Sequence, residues 1–161
     1  MKKIKRAVLI FIVISFESAS ACDIYDGNLS IYTEEDLHAA KTYCKVTGGV
    51  DYVVFGEPRN VSLPNLKEVG GALNFTGDSL VSLELPKLEK VGWWIHIASL
   101  SYHQNFLASV KIPRLQSGTL QLAVSPKLSV FNYNPCSAIV LDADTKANLQ
   151  NLKLLKSCRN Q

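Results

Sequence analysis

The phrase Leu-Pro-x-Leu-x-x-Val-Gly runs from Leu63 to Gly70 and again from Leu85 to Gly92, and returns altered as Ile-Pro-Arg-Leu-Gln-Ser-Gly at Ile112 to Gly118. Pro64 and Pro86 are 22 residues apart and Pro86 and Pro113 are 27, so one unit is written several times with one insertion. A unit of this size cannot bury its apolar face alone and must stack on its neighbours, which makes a solenoid. The repeat constrains architecture far more than activity, because a stacked scaffold presents almost any surface.

Aligned on the glycines, the rungs open with Val50-Asp51-Tyr52, Leu73-Asn74-Phe75, Ile95-His96-Ile97 and Leu120-Gln121-Leu122. Each is apolar, polar, apolar, the period of a short half-buried strand. A second triplet follows: Val61-Ser62-Leu63, Leu83-Glu84-Leu85, Val110-Lys111-Ile112 and, less regularly, Phe131-Asn132-Tyr133. Leu66, Leu88, Leu115, Val69 and Val91 fall on the return path, and Leu80, Leu107 and Leu128 recur before the second triplet, closing the core at its other sides. Gly70, Gly71 and Gly92 suit corners with positive φ, and the prolines sit where a strand ends and no ladder donor is needed. The expected fold is mainly β, a short β-solenoid of about four to five rungs.

Such a coil needs its ends covered. Thr33-Glu34-Glu35-Asp36 reads as a helix start, followed by Leu37, Ala40 and Cys44 at helical spacing. Asp144 to Ser157, with Ala147, Leu149, Leu152 and Leu155 and with Lys153 and Lys156 in its last turn, reads as a second helix. Each expected helix ends at a cysteine, Cys44 or Cys158. The expected layout is a removed leader at 1–21 and one domain at 22–161, divided into an N-terminal cap (22–47), repeats (48–133) and a C-terminal cap (134–161).

The leader has a basic start (Lys2, Lys3, Lys5, Arg6), an apolar run from Ala7 to Ile14 and an Ala19-Ser20-Ala21 ending, the pattern of a secretory signal. Its apolar run is shorter than the roughly 20 residues that span a bilayer, so no transmembrane segment is expected in the mature chain. The leader's four positive charges and Glu17 account for the whole formal charge of +3, leaving 13 basic and 13 acidic residues. A neutral mature chain argues against nucleic acid as partner. The expected location is outside the cytoplasm: extracellular, at the cell surface or in the periplasm.

The four cysteines, Cys22, Cys44, Cys136 and Cys158, read as disulfides in an exported chain and allow three connectivities. Cys22 with Cys44 and Cys136 with Cys158 is favoured, because each pair brackets a local segment at one end of the repeats. Each bridge would close a loop of about 20 residues, worth about 3 kcal/mol by chain entropy. Cys22 also stands where a bacterial lipoprotein carries its acylated cysteine, but Ala19 occupies the position that usually holds Leu in that signal, and acylation would strand Cys44.

Together these features resemble the receptor L domain, the solenoid module in the ectodomains of the insulin and epidermal growth factor receptors. The likeness runs from Cys22 through Gly27-Asn28-Leu29-Ser30-Ile31, Glu35-Asp36-Leu37, Val46-Thr47-Gly48-Gly49-Val50 and the Leu-Pro phrase to Asn134-Pro135-Cys136. It implies a right-handed β-helix used for recognition, and a first disulfide joining Cys22 to Cys44. It implies no particular ligand, and this chain shows neither the cysteine-rich domain nor the membrane span that accompany the receptor versions.

The candidate binding residues are the outward ladder Asp51, Asn74, His96 and Gln121, the aromatic pair Trp93 and Trp94, and Tyr102 and His103 in the inserted stretch Ser101 to Asn105. The tryptophans occupy the place of Gly71 and Ala72, and an outward indole stacks on a sugar or anchors a protein. Against this, any half-buried sheet has a solvated face, an indole can fill a core corner, and surface loops lengthen at little cost. The second ladder, Ser62, Glu84, Lys111 and Asn132, reads as a favourable cross-strand series. Sequons at Asn28, Asn60 and Asn74 matter only in a eukaryotic secretory pathway, and the lysine-rich leader has a bacterial look.

His38, His96 and His103 lack metal-ligand spacing, and no nucleophile, base and orienting group assemble. No cofactor, metal or catalytic residue is expected. The expected function is non-enzymatic recognition or adhesion, with an unidentified protein or glycan as ligand. The rivals are a structural envelope protein and a polysaccharide-cleaving β-helix, the latter disfavoured because Asp51 stands alone on its sheet and Glu84 neighbours only Lys111.

Overall fold

The computed structural model describes residues 22–54, 56–98, 106–123 and 127–158. The leader, and the inserted stretch with Tyr102 and His103, lie outside the described residues.

The first part of the chain forms β1 (Asp23–Tyr25), β2 (Leu29–Ile31), α1 (Glu34–Ala40), β3 (Tyr43–Val46), β4 (Val50–Val54) and β5 (Arg59–Ser62). The middle forms β6 (Glu68–Val69), β7 (Leu73–Gly77), β8 (Leu80–Glu84) and β9 (Lys90–Ala98). The last part forms β10 (Ser109–Ile112), β11 (Ser117–Leu122), β12 (Val130–Tyr133), β13 (Ala138–Leu141) and α2 (Ala143–Asn151). They wind into a β-solenoid of about five turns.

Every strand pairing is parallel and joins one turn to the next. On the first face Leu29, Val50, Leu73, Ile95 and Leu120 stand in one column, and Tyr52, Phe75, Ile97 and Leu122 in another. The second face is the four-stranded sheet β5-β8-β10-β12, where Val61, Leu83, Val110 and Phe131 align, so the irregular fourth triplet is a regular rung. The return path is also a ladder: Tyr43 to Val46, β6 and the start of β9 pair in turn, and β9 bends to carry this ladder into the first face. These columns are the core, with Val50, Leu73, Phe75, Leu83, Ile95, Val110 and Leu120 fully inaccessible. Full burial of one such side chain contributes about 1.5 to 3 kcal/mol.

Gly70, Gly71 and Gly92 do not adopt the positive φ expected of corner residues; among the described residues the positive-φ glycines are Gly27, Gly56, Gly77 and Gly118. The three corner glycines provide room between turns instead. A Cβ on Gly92 would strike the Gly70 carbonyl, one on Gly70 would strike that of Thr47, and one on Gly71 would come within 2.9 Å of the Gly49 nitrogen. The columns Thr47-Gly70-Gly92 and Gly48-Gly71 are therefore backbone laid on backbone.

Thr33 is the N-cap residue of α1, accepting from the Asp36 N–H at 3.1 Å while the Asp36 carboxylate accepts from the Thr33 N–H at 3.0 Å. Both helices end earlier than their apolar spacing predicts. Cys44 belongs to β3, drawn into the sheet by ladder pairing, and α2 ends at Asn151, with Lys153 turned to positive φ and Lys156 beyond the helix. The chain then doubles back, and the Tyr133 hydroxyl is held by the backbone of Lys156. Helix α1 lies on β2, and α2 lies on β11, where Thr145 Oγ1 accepts from the Leu122 N–H at 2.7 Å. Cys22 pairs with Cys44 and Cys136 with Cys158, with Cα atoms 5.4 and 4.8 Å apart. Among the described residues no helix is long and apolar enough to cross a membrane.

Candidate functional site

Strand register places Ser30, Asp51, Asn74, His96 and Gln121 in one outward column of the first face. Parallel strands set successive members about 4.8 Å apart. The Asn74 Nδ2 donates to Asp51 Oδ1 at 2.7 Å, and the Asn74 Oδ1 accepts from the Trp94 Nε1–H at 3.2 Å. The amide thus links carboxylate to indole and fixes the Trp94 ring on the sheet. It also engages Asn74 on both sides in a half-buried position, with one amide N–H held by Asp51. Asn28 and Asn60 are exposed, with their Oδ1 atoms accepting from the Gly49 N–H and the Ser82 hydroxyl.

Neither tryptophan enters the core. Trp93 is 63% exposed and Trp94 41%, with ring centroids 5.6 Å apart and planes tilted by 39°. The cause is a step in the coil. From β6 to β9 the corner keeps its length, Glu68 opposite Lys90 and Leu73 opposite Ile95, but in β11 only Gly118 lies between Ser117, opposite Lys90, and Thr119, opposite Trp94. Gly118, at φ 140°, takes this shortcut, so no residue of the next turn stands opposite Trp93. Val140, 60% exposed, follows Trp94 and Thr119 in the same column.

Beyond the tryptophans the face opens into a groove of about 500 Å³ lined by His96, Gln121, Ala123, Asp142, Asp144 and Asn148. Asp142 leaves β13 directly above this ladder, its N–H donating to the Leu120 carbonyl, and its carboxylate caps α2 through the Thr145 N–H at 2.7 Å. The His96 imidazole and the Gln121 amide make no side-chain hydrogen bond among the described residues. Sequence reasoning missed Asp142, Asp144 and Asn148, although the apolar run Ala138 to Leu141 before an acidic helix start marks a further rung.

On the second ladder Glu84 and Lys111 meet at 2.6 Å, while Ser62 and Asn132 make no side-chain hydrogen bond among the described residues; in the neighbouring column Ser82 donates to Asn60 at 2.7 Å, and Ser109 Oγ is buried without a partner among the described residues. The return face carries a charge ladder that sequence reasoning did not anticipate, with Glu68 held between Lys45 at 3.1 Å and Lys90 at 3.8 Å. The hydrogen bond from Lys45 is the main cause holding the Glu68 carboxyl below its ordinary pKa. No group of three His, Cys, Asp or Glu suited to a metal ion occurs among the described residues.

The chain matches no family profile, no curated protein and no solved structure.

Proposed function

We propose that the mature chain is an exported, non-catalytic recognition module of the receptor L type, a right-handed β-helix closed at its ends by α1 and α2, whose ligand sits on the first face. The observation that carries this reading is the exposed pair Trp93 and Trp94, with Trp94 already fixed to the polar ladder through Asn74. Two indoles left in water cost apolar exposure that burial would have removed, and a ring held in place loses little freedom when a ligand arrives. Disulfide pairing and the charge balance of the mature chain support a life outside the cytoplasm.

The test is retention of purified protein on cell-surface material. Changing Trp93, Trp94 and His96 to Ala together is expected to abolish retention while the melting temperature stays within a few degrees. Full retention by the triple variant contradicts the proposal and favours an envelope protein whose surface need only be soluble. Release of reducing ends from polysaccharides by the wild type contradicts its non-catalytic part.

A further inference from the structure

Resting on that reading, we infer that the ligand of the first face is an uncharged glycan chain, lying along the column from Asp51 to Gln121 with sugar rings against Trp93 and Trp94. The column offers a carboxylate, an amide, an imidazole and a second amide, one per step of about 4.8 Å. These are planar groups that pair with the adjacent hydroxyls of a pyranose, and the step is close to the length of one sugar ring. Trp94 has given its N–H to Asn74, so what the ring still offers is its π face, which suits the C–H face of a sugar.

Charge narrows the class. Asp51 lies in the column and Asp142 directly above it, Asp144 lines the groove, and no position of the column holds Lys or Arg. A polyanion would meet carboxylates with no cation in the column to offset them, a juxtaposition that costs affinity. Shape argues against a folded protein partner. A stable protein interface covers about 800 Å² on each side around an apolar centre. Among the described residues, the exposed large apolar side chains of this face are Trp93, Trp94 and Val140, a narrow strip beside small polar side chains, with Tyr32 apart from them just beyond β2.

Trp93 and Trp94 are the only tryptophans of the chain, so tryptophan fluorescence, excited selectively over tyrosine, reports on this site alone. The disulfide-bonded protein is titrated with cello-, xylo-, manno- and chito-oligosaccharides, and with polygalacturonate as polyanion. A saturable change with at least one neutral series, tightening with chain length, is expected, and none with polygalacturonate. Trp94→Ala, read through Trp93, should weaken binding about tenfold, and Lys111→Ala on the second face should not alter it. Absence of a saturable change with every neutral series, or a stronger response to the polyanion, overturns the inference.

A parallel arm separates this failure from failure of the recognition reading. Retention on surface material should be lost after treatment with periodate and mixed glycosidases. Retention that survives that treatment, is lost to protease, and still requires both tryptophans overturns the glycan ligand while leaving recognition in place. No retention on untreated material defeats both.

Discussion

On the second face Glu84 reaches Lys111 and Asn60 takes the hydroxyl of Ser82, whereas on the first face two indoles stand exposed beside half-buried His96 and Gln121. Both faces stand on one core of buried Leu, Val, Ile and Phe, so the scaffold does not account for the difference. A solvated face is complete once its charges are paired within the sheet. What separates the first face is its exposed aromatic surface, and on that the proposed ligand site rests.

The comparison predicts equality below the faces and inequality above them. Leu73→Ala under the first face and Leu83→Ala under the second should each cost about 3 kcal/mol in urea unfolding, since both side chains are wholly buried. A clear difference between the two would mean that the faces differ in packing as well. The next largest effect concerns the corner. Gly71→Trp should destabilise by about 2 kcal/mol, because its Cβ lies 2.9 Å from the Gly49 nitrogen, whereas Trp93→Gly should change stability by less than about 1 kcal/mol.

Smaller still, Lys111→Ala should cost about 0.5 kcal/mol, fading with salt, because the ion pair it breaks is exposed, and it should leave retention on surface material unchanged. The smallest effect is on pH dependence. Backbone N–H groups of Tyr32 and Thr33 are the main causes lowering the Asp36 pKa, and the Lys45 hydrogen bond is the main cause for Glu68. Folded values below the unfolded values of about 4 mean that the folded chain binds fewer protons there. The stabilisation is therefore present above about pH 4 and lost as pH falls through the folded values. Asp36→Asn should flatten that acid limb in melts recorded across pH, while retention on surface material stays unchanged.

Much of this was legible in the sequence because a solenoid converts sequence period into spatial column. Aligning Asp51, Asn74, His96 and Gln121 by repeat number reproduces their register, and the replacement of Gly71 and Ala72 by Trp93 and Trp94 is visible as a break in the phrase. What was not legible depends on the distance between turns. Gly70 and Gly92 look like turn glycines until the carbonyl of the turn below is in place. Cys44 fits the helical spacing of Leu37 and Ala40, and only pairing with neighbouring strands makes it part of β3. The exposure of Trp93 rests on the shortcut at Gly118, a quarter of a century of residues downstream, and Asp142 joins the groove only because β13 adds a rung.

The most direct test of the site restores the repeat where it breaks. In the double variant Trp93→Gly, Trp94→Ala, the third turn carries the corner residues of the second, Gly71 and Ala72. The expected result is a folded protein with a melting temperature within a few degrees of wild type and no retention on cell-surface material. Retention equal to wild type would contradict the assignment of the first face, and loss of the fold would show that the tryptophans serve the scaffold instead.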